Sequence, residues 1–240
     1  MSGLVKFLKE AFFPEKFTCD ICGIETFGDN LCPQCRKTVS FNDGAVCPVC
    51  GRKNAIPEIC TECKAVLPRF EKAVSPLVYE NGTVALIAKF KNGEGYLKEY
   101  FAELIEEKLA PLPRFDGIVY VPMTAKAERK RGYNQSKLLA ESVSKRIGIP
   151  VILNAVVKTA DTDEQKTLTG KERAENLKSC FKVEKREEIK GKSVLLVDDV
   201  MTTGATADAL CERLLKAGAK NVYFAAVASV EFKIKKKDKN

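Results

Sequence analysis

The apolar run Ser193–Val197 ends in two adjacent acids, Asp198 and Asp199, and Thr202-Thr203-Gly204-Ala205-Thr206 then leads into the helix-like pattern TADALCERLLKAG. Backbone N–H groups in such a turn, helped by the helix dipole and by the Thr202, Thr203 and Thr206 hydroxyls, form a cradle for an anion. Gly204 lets a ligand approach the backbone closely. Two carboxylates beside that cradle do not seek a second anion. They accept hydrogen bonds from vicinal hydroxyls, or help to hold Mg²⁺. A cradle for one phosphate next to acceptors for a diol describes ribose 5-phosphate.

Competing phosphate motifs lack their key residues. A P-loop needs G-x-x-x-x-G-K-[ST] and its lysine, and the dinucleotide pattern G-x-G-x-x-G is also missing. A phosphoacceptor receiver domain likewise opens on a strand ending in an acidic pair. Several further β-α units would then have to fit into the roughly forty residues after Asp199. The plainest alternative is an acidic strand end followed by a capped helix. That accounts for one threonine but not for three clustered hydroxyls.

Eight of the ten cysteines form a second chemical pattern. Cys19, Cys22, Cys32 and Cys35 recur 28 residues later as Cys47, Cys50, Cys60 and Cys63, each set reading C-x₂-C-x₉-C-x₂-C with a glycine after the leading pair. Two Cys-x-x-Cys turns supply the four thiolates of a tetrahedral zinc site. Disulfides and mononuclear iron are the rivals. Met1–Pro14 lacks the long apolar core of a secretory signal, and no apolar run reaches membrane-span length, so the expected setting is cytoplasmic and thiol-reducing. Two structural Zn²⁺ ions in sequential ribbons are therefore expected over residues 1–70. Ahead of them, Leu4, Leu8 and Phe12 share one helical face, read as a short helix capping the first ribbon.

The formal charge of +8 falls to about +4 if each Zn(Cys)₄ centre carries roughly −2. The remaining excess lies in Lys126, Arg129, Lys130 and Arg131 and in the tail from Lys233. It suits phosphate-bearing ligands or nucleic acid; a solvated lysine-rich surface explains the tail equally well. Tyr133 is the main aromatic residue among these cations, so a base-stacking groove is not evident. Cys180 and Cys211 have no histidine to activate them and are read as buried packing.

From residue 71 to 240 strand-like runs alternate with helix-like ones: FDGIVYVPM, NQSKLLAESVSKRIG, VILNAVVK, SVLLVDD, TADALCERLLKAG and NVYFAAVAS. This alternation predicts an α/β domain with a parallel, doubly wound sheet and ligands at the strand carboxyl ends. The polar stretch from Thr159 to Leu177 is long enough to be a lid.

VLLVDDVMTTGAT resembles the phosphoribosyl-pyrophosphate (PRPP) loop of type I phosphoribosyltransferases. With FFPEKFTCDICG, VYVPM, RKRGYNQSKLLA and the Q…L…R…N series, nearly the whole chain resembles the ComF (ComFC/GntX-like) family: a double zinc ribbon followed by a type I phosphoribosyltransferase domain. The resemblance implies that Asp198 and Asp199 hold the ribose hydroxyls, directly or with Mg²⁺, and that Thr202, Thr203, Gly204, Ala205 and Thr206 wrap the 5′-phosphate. Val121, Pro122, Met123 and Thr124 then form the short loop facing pyrophosphate, with Arg129 and Arg131 compensating diphosphate charge. Lys91 is a weaker candidate, because the glycine spacing around it departs from the family's K-x-x-G region. Gln165, Leu168, Arg173 and Asn176 match the lid series; Lys158-Thr159 stands where the family usually has an arginine near the lid's start.

The function so implied is that of a competence factor in DNA uptake, acting beside a ComFA-type ATPase as single-stranded DNA enters the cell, with a PRPP site. The alternative is an active Mg²⁺-dependent phosphoribosyltransferase for an unidentified acceptor. The donor half of such a reaction is legible here and the acceptor half is not, because only about a dozen residues follow the last strand. A third reading makes the ribbons a docking module and the second domain a relic; the intact acid pair and threonine loop argue against it.

Overall fold

The computed structural model describes residues 16–27, 30–160 and 179–231. The Leu4/Leu8/Phe12 face, the lid residues Gln165, Leu168, Arg173 and Asn176, and the tail from Lys233 lie outside the described residues.

The ribbons come first. β1 (Lys16–Thr18) and β2 (Glu25–Phe27) pair antiparallel around Cys19 and Cys22. The short helix α1 (Pro33–Arg36) begins at Cys32, whose sulfur accepts the Cys35 N–H at 3.4 Å. After β3 (Val39–Phe41), a Val46–Lys53 bridge and α2 (Thr61–Ala65) repeat the plan.

The α/β part runs β4 (Ala73–Val74), β5 (Leu77–Glu80), α3 (Asn81–Lys91), α4 (Leu97–Leu109), β6 (Gly117–Tyr120), α5 (Ala125–Arg131) and α6 (Gln135–Ile147). It continues through β7 (Val156–Lys158), β8 (Phe181–Val183), α7 (Arg186–Ile189), β9 (Ser193–Met201), α8 (Ala205–Lys216) and β10 (Asn221–Ser229). The sheet order is β3-β5-β10-β9-β6, with β4 also on β10. Every pair among β4, β5, β6, β9 and β10 is parallel; β3, contributed by the ribbon segment, joins β5 antiparallel. The expected parallel sheet thus carries one antiparallel edge strand.

β9 and β10 are continuous apolar runs because both faces of the sheet are covered. Leu195, Val197, Ala225 and Val227 pack with α3, α4 and α6, while Val194, Leu196, Phe224 and Ala226 pack with α8. The two ribbons divide between these cores: Cys19, Cys32 and Cys35 join the first, and Cys47, Cys50 and Cys63 join the second. Of VILNAVVK, Val151 bridges Ile118, but Val156–Lys158 leaves the main sheet and pairs with β8. Asn154, at φ 54°, turns the chain away before the run can continue along the sheet.

The equivalent glycines of the two knuckles have different duties. Gly23 and Gly51 both have positive φ, at 75° and 65°. A Cβ on Gly23 would meet nothing within 4 Å, whereas one on Gly51 would lie 2.3 Å from the Ala73 carbonyl oxygen. The second knuckle is pressed against β4, where the Ala73 N–H donates to the Val49 carbonyl at 2.8 Å. The buried Asn42 amide donates to the Gly51 and Ser75 carbonyls at 2.8 and 3.0 Å. Asparagine tolerates the left-handed region, so Gly23→Asn is expected to cost about 1 kcal/mol or less, and Gly51→Asn about 3 kcal/mol or more through backbone overlap. Denaturant unfolding of the two variants checks the contrast.

Candidate functional site

Parallel pairing brings the carboxyl ends of β6 and β9 to one edge. β9 runs on through Met201, so both acids lie within the strand and not beyond it; Asp198 stands opposite Ala226 on β10. Asp198 is half-buried and Asp199 buried. Their backbone is knitted to their own carboxylates: the Asp199 N–H donates to Asp198 Oδ1 at 2.9 Å, and the Val200 N–H to Asp199 Oδ1 at 2.7 Å.

Three side chains complete the acid pair. Ser136 Oγ donates to Asp198 Oδ1 at 2.7 Å, Gln135 Nε2 donates to Asp199 Oδ2 at 3.2 Å, and Lys91 Nζ lies 3.0 Å from Asp199 Oδ2. Local chemistry explains why RGYNQS places two of them. Gly132, at φ 93°, ends α5, and the Asn134 side chain caps α6 by accepting the Lys137 N–H at 3.2 Å. Gln135 and Ser136 therefore occupy the first turn of α6. Asn134 Nδ2 also donates to the Val121 carbonyl at 3.1 Å, tying that turn to the end of β6. Tyr133, far from offering a stacking surface, donates its hydroxyl to the Phe90 carbonyl and accepts the Gly93 N–H at 3.1 Å. It thereby anchors the end of α3 that carries Lys91.

Beyond Met201 the chain turns through Thr202 and Thr203 to Gly204, at φ 85°, where α8 starts. Gly204 has no side chain to cap the helix, and Thr203 Oγ1 accepts the Ala205 N–H at 3.3 Å. The other leading N–H groups of an α-helix have no acceptor within the helix itself. Val121–Thr124 follow β6 directly, with the Val121 N–H donating to the Val197 carbonyl at 3.0 Å and Thr124 capping α5 through the Ala127 N–H at 3.2 Å. The acids, the threonine loop and Val121–Thr124 thus share one edge of the sheet. Arg129 and Arg131 are exposed on the last turn of α5, and it is Lys91, Gln135 and Ser136 that contact the acids.

Residues 134–240 match the family of the phosphoribosyl transferase domain, and residues 8–64 match the double zinc ribbon domain. Competence protein F of Haemophilus influenzae is 35% identical over 108 residues, 45% of this chain and 47% of that protein. The DNA utilization protein YhgH of Escherichia coli K12 is 36% identical over 104 residues, 43% and 45% of the two chains. Competence protein ComFC of Bacillus subtilis is 30% identical over 101 residues, 42% and 39%. A double zinc ribbon followed by a phosphoribosyl transferase domain, with relatives named for competence, supports a ComF-family protein. The match spans about half the length of these curated relatives or less.

The ribbon sulfurs suit a metal. Within each set of four cysteines all Sγ atoms lie within 4.8 Å of one another. Cys22 and Cys32 Sγ are 3.8 Å apart, and Cys50 and Cys60 Sγ 3.7 Å. Burial pushes the Cys19 thiol up, but the N–H groups of Cys22, Cys32 and Ile21 outweigh it and bring it to about 6. Cys47 follows the same pattern, reaching about 7 under the N–H groups of Cys50, Cys60 and Val49. Burial and the neighbouring thiolates hold Cys50 up at about 12. Four such sulfurs ionise together only around a cation, and a set of four thiolates with no oxygen ligand is what a closed zinc site requires.

Burial raises the Asp198 carboxyl, and the Asp199 charge raises it further. The Ser136 hydroxyl, the Asp199 N–H and the Lys91 ammonium pull the other way, leaving it at about 7. Removing either opposing side chain, by Lys91→Met or Ser136→Ala, is expected to push Asp198 higher still. A carboxyl-carbon NMR titration reads the change directly.

Proposed function

We propose that this chain binds PRPP, or a related ribose phosphate, with Mg²⁺, in a ComF-type role in handling incoming single-stranded DNA. The observation that carries the reading is the acid pair near the end of β9 leading into a threonine-rich turn and a helix that starts on glycine. A second observation supports it: Gln135 Oε1 is buried beside Asp199 and has no hydrogen-bond partner among the described residues. A buried acceptor in that state calls for a donor, and a ribose hydroxyl supplies one.

On this reading Asp198 and Asp199 accept from the ribose diol or share Mg²⁺, with Gln135 beside them. The loop 202–206 wraps the 5′-phosphate, Val121–Thr124 face the pyrophosphate, and Gln165, Arg173 and Asn176 serve as lid residues. Arg129 and Arg131, with Lys126 and Lys130, form a basic strip for diphosphate or for a DNA backbone. The two cysteine sets hold structural Zn²⁺, and the boundary between ribbon and transferase-like parts falls near residue 70. The DNA role is supported by relatives named for competence and DNA utilization; on this reading the work is cytoplasmic, with a ComFA-type ATPase as partner. No helix among the described residues is long and apolar enough to cross a membrane.

One observation favours a second reading, phosphoribosyl transfer to an acceptor. Burial and its neighbours place Asp198 at the edge of ionisation near neutral pH, where a carboxylate serves as a proton acceptor. Pyrophosphate release from PRPP, across a panel of nucleobases and amines, tests for it.

Calorimetric titration of PRPP with Mg²⁺ tests the binding site. The Asp198→Asn/Asp199→Asn double variant is expected to bind about 100-fold more weakly or worse, since two charge-assisted contacts are lost. Unchanged affinity rejects the site. The pH dependence has a definite sign. The ligand requires ionised Asp198, so affinity climbs as pH rises through about 7 and levels off above it. Below that point the climb approaches about tenfold per pH unit. The ligand's own phosphate titrates near pH 6; the difference between wild type and Asp198→Asn isolates the carboxyl.

A further inference from the structure

The ribbon repeat breaks its own symmetry at one position. Ile24 and Arg52 follow the two knuckle glycines at equivalent places, yet Ile24 is 61% exposed and Arg52 only 4%. The Arg52 backbone is part of the metal knuckle: its carbonyl accepts the Cys47 N–H at 2.9 Å, and its N–H is directed at the Cys50 sulfur. Its guanidinium leaves the ribbon altogether. Nη2 donates to the Thr202 carbonyl at 2.5 Å, across 150 residues of chain, and a Cβ on Gly204 would lie 3.4 Å from the same nitrogen.

That contact orients the amide at the start of the phosphate loop. The peptide between Thr202 and Thr203 is trans, so its N–H points opposite to its carbonyl. With the carbonyl turned to Arg52, the Thr203 N–H is turned away from the ribbon. A cation on the carbonyl also polarises the amide and strengthens the N–H as a donor. Packing does not enforce the same geometry. A cavity of about 410 Å³ opens beside the contact, between Cys50, Cys63 and Phe70 on one side and Met201, Thr203 and Gly204 on the other. Without the guanidinium, the loop has room to turn. The first ribbon packs instead into the core on the opposite face of the sheet.

We infer that Arg52 is a positioning residue for the phosphate loop, and that through it a metal held by Cys47, Cys50, Cys60 and Cys63 is coupled to ribose-phosphate binding. The inference rests on the reading of residues 202–206 as the site of the 5′-phosphate. Coupling of this kind is reciprocal: the factor by which metal in the second ribbon tightens ligand binding is the factor by which ligand tightens metal binding.

The test uses the full chain loaded with zinc and ribose 5-phosphate with Mg²⁺ as the probe. Wild type, Arg52→Met and Arg52→Lys are compared by calorimetry, with zinc content and melting temperature measured on each. Arg52→Met is expected to bind about tenfold more weakly at full zinc content. Arg52→Lys falls between, because lysine keeps the charge and loses the planar fork. In a chelator competition, ribose 5-phosphate should make one of the two zinc ions harder to extract from wild type, and should not do so in Arg52→Met. Binding by Arg52→Met within twofold of wild type, or ligand-independent extraction of both ions, overturns the coupling. Wild type that fails to bind ribose 5-phosphate overturns the site reading itself, a separate result. If Arg52→Met does not fold, the extraction measurement on wild type and the affinity of Arg52→Lys decide the matter.

Discussion

Two carboxylates on consecutive residues of one strand end, partly withdrawn from water, repel each other, and the surrounding structure answers that repulsion. Burial and the Asp199 charge both raise Asp198. An ammonium, an amide and a hydroxyl are brought to the pair from α3 and α6, elements on the same face of the sheet. Each of these groups needs its own support. Tyr133 holds the end of α3, and Asn134 caps α6 while gripping the end of β6. A short polar segment that looks like a loop in the sequence is thus the bracket of the acid site.

The same edge depends on the sheet behind it. β9 and β10 bury both faces, so the strand bearing the acids is backed by two cores, and each ribbon closes a different one. The ribbons are therefore built into the α/β unit. β3 extends the sheet, Gly51 presses on Ala73, and Asn42 bridges the knuckle to Ser75 between β4 and β5. The second knuckle forms the wall beside the turn that follows β9, where Arg52 meets the Thr202 carbonyl.

Much of this was legible before any coordinates. The 28-residue cysteine period and its spacing announce two tetrahedral thiolate sites, and the continuous apolar runs of β9 and β10 announce a sheet covered on both sides. The acid pair and the threonine loop stand together in sequence, so their proximity in space needs no tertiary information. Groups that reach the site from a distance are different. Lys91 stands in an irregular glycine spacing, and Gln135 and Ser136 stand in an ordinary helical pattern. Only sheet order and the cap at Asn134 bring them to Asp198 and Asp199. Arg52 was hidden for the same reason, although the repeat offered a clue: an arginine stands where the first unit has isoleucine. Arg129 and Arg131 stand out in the sequence for a different reason. They form a basic run beside a motif, and both are exposed on the last turn of α5.

The ligand-free arrangement also constrains how a cation-bearing ligand would enter. Lys91 Nζ sits on Asp199 Oδ2, the oxygen that Gln135 also contacts, so a Mg²⁺ ion brought in by PRPP competes with an ammonium already in place. The lysine side chain is about one-third exposed while the Asp199 carboxylate is buried, so the pair opens to solvent on the lysine's side. On the proposed reading, displacement would free that ammonium beside the bracket through which Asn134 also holds the end of β6. A diphosphate carries the charge needed to hold it there. If PRPP binds as proposed, one lysine would serve in turn as counter-ion for the acids and as a cation for the diphosphate, which would reconcile the ion pair of the unliganded acids with their use.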